Sequence, residues 1–243
     1  MKVLRYVLGL GMGLGLVHAM GSAEQASAAE PTIIQHPMLD VPAVNVQPFL
    51  DAGCVRSDDG LDCSAAPAIQ RFGCFGNFLR IDPSLGGLEP RVAIAECSAV
   101  VSDETAATTG IVRLGCRLPL YRRYVIASRG GFELVQSEAQ FRERFGSVTS
   151  AAEALAFATA LTTAQPQWKI ALGENEEFLA DRIETTHVDR IRGGYDVHLF
   201  DTERCGCSQH PTSAVAIRVS LNGRIQVGEG VPVYQDTQVI CVD

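Results

Sequence analysis

Eight cysteines constrain this chain more than any other feature. Cys54, Cys63, Cys74, Cys97 and Cys116 lie towards the front, and Cys205, Cys207 and Cys241 lie near the end. Both groups are odd. If all eight pair within one chain, an odd number of bridges must join the groups, so at least one disulfide ties front to back. That favours a docked arrangement over two freely hinged units. An even count points to a disulfide framework where the compartment is oxidising, and the N-terminus points to such a compartment.

Lys2 and Arg5 supply a positive start, an apolar, glycine-rich run follows from Tyr6 to Met20, and Ala26-Ser27-Ala28 is a small-residue cleavage site. This is the layout of a secretory signal peptide over residues 1–28. The apolar run is short of the ~20 residues that span a bilayer, and no later stretch is longer. A secreted or periplasmic protein without a membrane span is therefore expected after cleavage. Lys169 is the only lysine beyond residue 28, against 17 arginines, and there is no Asn-x-Ser/Thr acceptor. Both point to a bacterial source. Net charge is −8, and removal of residues 1–28 makes the remainder one charge more acidic. An acidic chain with no basic cluster disfavours nucleic acid as a partner.

Residues 29–50 carry Pro31, Pro37, Pro42 and Pro48, which predicts an extended linker or arm, with Ile33, Ile34, Leu39 and Val41 able to dock. Residues 51–136 read as a disulfide-rich β/loop section. Asp58-Asp59-Gly60 is a turn between Cys54 and Cys63, where a local bridge is easy to close. Tyr124–Ala127 and Phe132–Val135 flank Ser128-Arg129-Gly130-Gly131, a hairpin signal. Residues 137–243 read as helix plus antiparallel sheet, tied by disulfide to the preceding section. Within it "SEAQFRERFGS" predicts a short helix ended by Gly146. "TSAAEALAFATALTT" predicts the main helix, opened by a Ser150/Glu153 capping box. "DRIETTHVDRIR" predicts one strand, turning at Gly193-Gly194 into "YDVHLFD". "AVAIRVSLNG" alternates cleanly and turns at Asn222-Gly223. The expected class is α+β, a capped helix packed on a one-side-wet antiparallel sheet. The coarse shape of residues 147–235 resembles cystatin-like α+β folds, an analogy of shape that carries no family motif and no function.

"ERCGCSQHP", residues 203–211, is the one stretch with a reactive reading. Zinc needs four ligands. Cys205, Cys207 and His210 offer three, with His198 or a carboxylate as a conjectural fourth, but zinc knuckles space their cysteines more widely. A Cys205–Cys207 disulfide closes a strained ring and would be redox-labile. The cysteine count favours a third reading, in which each sulfur bridges elsewhere, one to Cys241 and one to the front group. His36, His187 and His198 are scattered, and a lone solvent-facing strand histidine is usually polar filler. Asp58-Asp59 and Glu174-x-Glu176-Glu177 lack calcium-loop spacing. No nucleophile elbow or zinc-protease motif is present.

The expectation is an exported, disulfide-stabilised binding or structural protein, with a protein or small ligand as partner and no cofactor. The alternatives are a thiol-disulfide or zinc protein using the Cys205-Gly-Cys207 loop, and a secreted hydrolase whose site residues lie apart in sequence.

Overall fold

A computed structural model describes residues 31–242 apart from Glu203. The signal-peptide reading of residues 1–28 lies outside the described residues. From the front, β1 (Thr32–Ile34) and α1 (Gln47–Asp51) lead to β2 (Val55–Ser57), β3 (Gly60–Asp62), α2 (Pro67–Gln70) and β4 (Phe78–Arg80). Next come β5 (Ile94–Val100), α3 (Ala106–Thr109), β6 (Val112–Arg113), β7 (Leu120–Ser128) and β8 (Gly131–Val135). The helices α4 (Glu138–Phe145) and α5 (Ala151–Leu161) precede β9 (Glu176–Phe178), β10 (Arg182–Glu184), β11 (His187–Ile191) and β12 (Gly194–Thr202). The chain closes with β13 (Gly206–Ser208), β14 (Thr212–Ser220), β15 (Ile225–Val227), β16 (Val231–Asp236) and β17 (Ile240–Val242).

The helix-on-sheet α+β expectation, and with it the cystatin-like shape, is overturned. The fold is mostly β, 38% strand and 19% helical, with several sheets that include a half-barrel. One sheet has seven strands, in the order β2-β3-β4-β5-β7-β6 with β8 beside β7. A second has six, in the order β11-β12-β14-β16-β9 with β15 beside β14. Two small sheets pair β1 with β10 and β13 with β17. The expectation failed because the front strands are short or covered on both faces. A strand such as β5, with Ile94, Ala95, Glu96 and Cys97 all buried, carries no alternation to read.

The two faces of the seven-stranded sheet have different covers. Ala95, Cys97 and Val125 point into a core with Phe49, Leu61, Ile69 and Leu79, beneath the cysteine-bridged segment. Ile94, Tyr124 and Ile126 point the other way, into the main core with α4, α5 and the inward residues Tyr195, Val197, Val215 and Ile217 of the six-stranded sheet. Every residue of α5 from Glu153 to Leu161 is buried, so the helix is enclosed between sheets rather than lying on one. Full burial of each large side chain here removes about 1.5–3 kcal/mol worth of apolar surface from water. Gly87 shows how tightly it is held: a Cβ there would sit 2.2 Å from the Ala152 carbonyl oxygen in the first turn of α5.

The predicted arm is not a free linker. β1 pairs in parallel with β10, and Leu39, Val41 and Val44 pack on the main core. The single strand expected over "DRIETTHVDRIR" is two, β10 and β11. Thr185 and Thr186 between them are fully buried and turn their amides to Ile34 and Gln167.

A cleft beyond the end of α5

All eight cysteines are bridged: Cys54–Cys63, Cys74–Cys97, Cys116–Cys205 and Cys207–Cys241. The bridge that the parity count demands is Cys116–Cys205. Cys207 lies opposite Cys241 in the β13–β17 ladder. The Cys205-Gly-Cys207 loop therefore presents two disulfides to different partners and no free thiol. His210 does not converge with the cysteines as a ligand set. Its Nδ1 lies 3.4 Å from Ser208 Oγ and its Nε2 lies 2.7 Å from the Ile240 carbonyl oxygen.

A cleft opens beside this loop. An eleven-residue helix is about 16 Å long, whereas a nine-residue strand such as β7 runs about 30 Å. Arg122 meets the last carbonyls of α5, so the start of β7 before it runs on beyond that end, and among the described residues a cleft is left open there. The resulting cleft has a volume of about 920 Å³. One wall is the seven-stranded sheet: Phe78 and Arg80 from β4, Glu96 and Ser98 from β5, and Leu120 and Arg122 from β7. The other is Gln165 and Gln167 from the chain leaving α5, the end of β12, and the Cys116–Cys205 bridge.

Arg122 fixes the floor. It is 2% exposed and ion-paired to Glu96, itself 4% exposed, with Nε 2.9 Å from Oε2. Its Nη1 donates to the Thr159 and Thr162 carbonyls at 2.7 and 2.5 Å, and Tyr124 Oη donates to the Ala160 carbonyl at 3.1 Å. One cation thus closes the orphan carbonyls at the end of α5, where the helix dipole favours positive charge. Burial works to lower the Arg122 pKa, but neighbouring Tyr124, Glu96 and Asp82 more than offset it, and the net direction is upward. Burial likewise drives the Tyr124 hydroxyl upward, so it stays a neutral donor.

The rim is less satisfied. Arg113 is fully engaged, with Asp103 and the carbonyls of Gly115 and Cys116. Arg80 and Arg204 are exposed, and among the described residues neither has an ion-pair or side-chain hydrogen-bond partner, nor does Asp201. Phe75, 58% exposed, stands at the same opening. On a chain of net charge −8, this mouth carries, among the described residues, two free guanidinium groups against one free carboxylate.

The sequence reading missed this site because it is built from strands whose neighbours lie far away along the chain. It also took the histidines one at a time, whereas the structure stacks three of them. His36, His187 and His198 form a column on the face of the six-stranded sheet opposite α5, with ring centroids 3.9 and 4.0 Å apart. Burial, then the neighbouring His187, holds the His198 imidazole below its ordinary pKa. A bond from His36, then one from Arg182, holds the Glu184 carboxyl below the usual carboxylate range. The signal was present: His187 and His198 sit on the two arms of the hairpin that turns at Gly193-Gly194, and that register sets them opposite each other. Asp58 and Asp59 stay in the β2–β3 turn, and Glu176 and Glu177 belong to the edge strand β9. Among the described residues no helix is long and apolar enough to cross a membrane. No family model matches the chain, and no curated protein or solved structure matches it either.

Proposed function

We propose that this is an exported binding protein that holds a small, partly apolar anion in the cleft beyond α5. The observation that carries the reading is the pairing of a cavity of about 920 Å³ with two unpartnered arginines, Arg80 and Arg204, at its mouth. Clefts of roughly 300–1,000 Å³ with apolar walls and a few convergent polar groups are the usual form of a small-molecule site. Phe75, Phe78, Leu120 and Phe200 supply the apolar wall for a ligand body, and a guanidinium is suited to bind a carboxylate or phosphate with two parallel hydrogen bonds. The signal layout of residues 1–28 and the four disulfides support export to an oxidising compartment.

The test is a thermal-shift and calorimetric screen of the mature protein against aromatic and aliphatic carboxylates, each paired with its neutral amide. Carboxylates are expected to raise the melting temperature and their amides not to. Replacing both arginines, Arg80→Ala with Arg204→Ala, is expected to weaken the best carboxylate about 10–100-fold, the value of one charge-assisted contact of about 1.5–3 kcal/mol. Equal binding of acid and amide, or full affinity in the double variant, would refute the reading.

A further inference from the structure

The histidine column offers a second site, on the opposite face of the six-stranded sheet from α5. His187 and Asp189 are alternate residues of β11, and His198 lies opposite His187 on β12, so all three side chains leave the sheet on one face. His36, arriving from the end of β1, lays its ring on His187, and its backbone N–H donates to Thr185 Oγ1 at 2.9 Å.

The central ring decides what the cluster can hold. Nδ1 of His187 is 2.7 Å from the Thr185 carbonyl oxygen. A carbonyl only accepts, so Nδ1 carries the hydrogen, and in a neutral ring Nε2 is left with its lone pair. Two carboxylates lie near Nε2, Asp189 Oδ2 at 3.6 Å and Glu184 Oε2 at 4.0 Å. The ligand atoms of His187, Asp189 and His198 lie close enough together to hold one cation among them. Nε2 of His198 meets the same Asp189 oxygen at 3.5 Å. Those two separations are close to the ~3.4 Å edge of a tetrahedron with bonds of about 2.1 Å, the zinc–ligand length. A backbone carbonyl bonded to the other ring nitrogen is also the usual outer support of a metal-bound histidine.

The geometry points to a divalent transition-metal site, of the zinc class, formed by Nε2 of His187, Nε2 of His198 and the carboxylate of Asp189. Two imidazoles and a carboxylate are ligands that zinc, nickel and copper(II) accept and that calcium and magnesium do not favour. His36 and Glu184 act as positioning residues. Glu184 Oε2 is 3.0 Å from His36 Nε2, and the His36 ring then holds His187 from behind. Asp189 is 62% exposed and His198 37%, so the ion has a path in and a fourth position open to water. The His187 and His198 rings lie within 10° of parallel. They must splay about their side-chain torsions for both lone pairs to reach one ion, so metal uptake breaks that stack.

The experiment strips the mature protein with chelator and titrates it with Zn²⁺ against a chromophoric competitor, then with Co²⁺, whose visible bands report tetrahedral nitrogen and oxygen ligation. One ion per chain is expected. His187→Ala, His198→Ala and Asp189→Asn should each weaken it at least about 100-fold, at or beyond the roughly 10–100-fold cost of losing an outer-shell partner, while His210→Ala should change nothing. Asp189 is exposed, so Asp189→Asn keeps the fold, with circular dichroism as the check. No uptake of Zn²⁺ by the folded wild type would overturn the assignment. So would undiminished uptake by Asp189→Asn, or a loss on His36→Ala that Asp189→Asn does not share, since that would move the ion to the His36, Glu184 and His187 side. Cleft binding by carboxylates is read separately and is untouched by these variants.

Discussion

At the scale of single residues, Arg122 carries the most consequence. The stretch "LYRRYVIAS" offers two arginines side by side, and alternation sends them to opposite faces of β7. Nothing local says which one goes inward. The structure buries Arg122 against Glu96 and the end of α5, and leaves Arg123 half-buried on the other face, where burial lowers its pKa. A buried ion pair is weak evidence of net stabilisation, but removing one partner leaves an uncompensated buried charge and costs about 3–5 kcal/mol. Glu96→Gln is expected to fall in that range. Arg122→Met is expected to cost at least as much, because it also leaves the carbonyls of Thr159 and Thr162 without their donor. Urea denaturation of the two variants measures this, and a loss below about 1 kcal/mol in both would mean the pair is solvated in a way the geometry does not suggest.

At the scale of elements, what was legible in the sequence was what is decided locally. The α5 capping box forms as its residues dictate: Ser150 Oγ accepts from the Glu153 amide at 3.1 Å, and Glu153 Oε2 accepts from the Ser150 amide at 2.9 Å. The same carboxylate also takes the Thr149 amide and hydroxyl, both at 2.7 Å. The short helix α4 and the hairpins at Gly130-Gly131, Gly193-Gly194 and Asn222-Gly223 were legible for the same reason. The edge strand β9, the break between β10 and β11, and the β13–β17 pair were not, because each exists only through a partner distant in sequence. Two substitutions separate these kinds of information. Ser150→Ala removes a local cap and should cost about 1 kcal/mol. Gly87→Ala drives a methyl into the backbone of Ala152, a contact no local pattern reveals, and should cost about 1–3 kcal/mol by overpacking. Thermal unfolding of both variants checks the ranking, and a Gly87→Ala protein as stable as the wild type would show that the Pro83–Gly87 turn can retreat from α5.

At the scale of the whole molecule, the cysteine count foresaw one tie between front and back, and the structure supplies it as Cys116–Cys205. The count could not foresee that the two halves also share a core, in which α5 is enclosed by residues of both large sheets. That second tie sets what the bridge is worth. A disulfide acts chiefly by restricting the unfolded chain, more so for a longer loop. The 89-residue separation of Cys116 and Cys205 corresponds to at most about 4.6 kcal/mol, and the 9-residue separation of Cys54 and Cys63 to about 2.6 kcal/mol on the same relation. The Cys116→Ser, Cys205→Ser double variant should therefore lose more stability than the Cys54→Ser, Cys63→Ser one. It should still unfold in a single transition, because the shared core holds the halves together without the bridge. It should also bind carboxylates more weakly, since the bridge forms part of the cleft wall. Calorimetric scans of the two double variants decide the matter. A split into two transitions on losing Cys116–Cys205 would mean that the covalent tie, and not the core around α5, makes the two halves one cooperative unit.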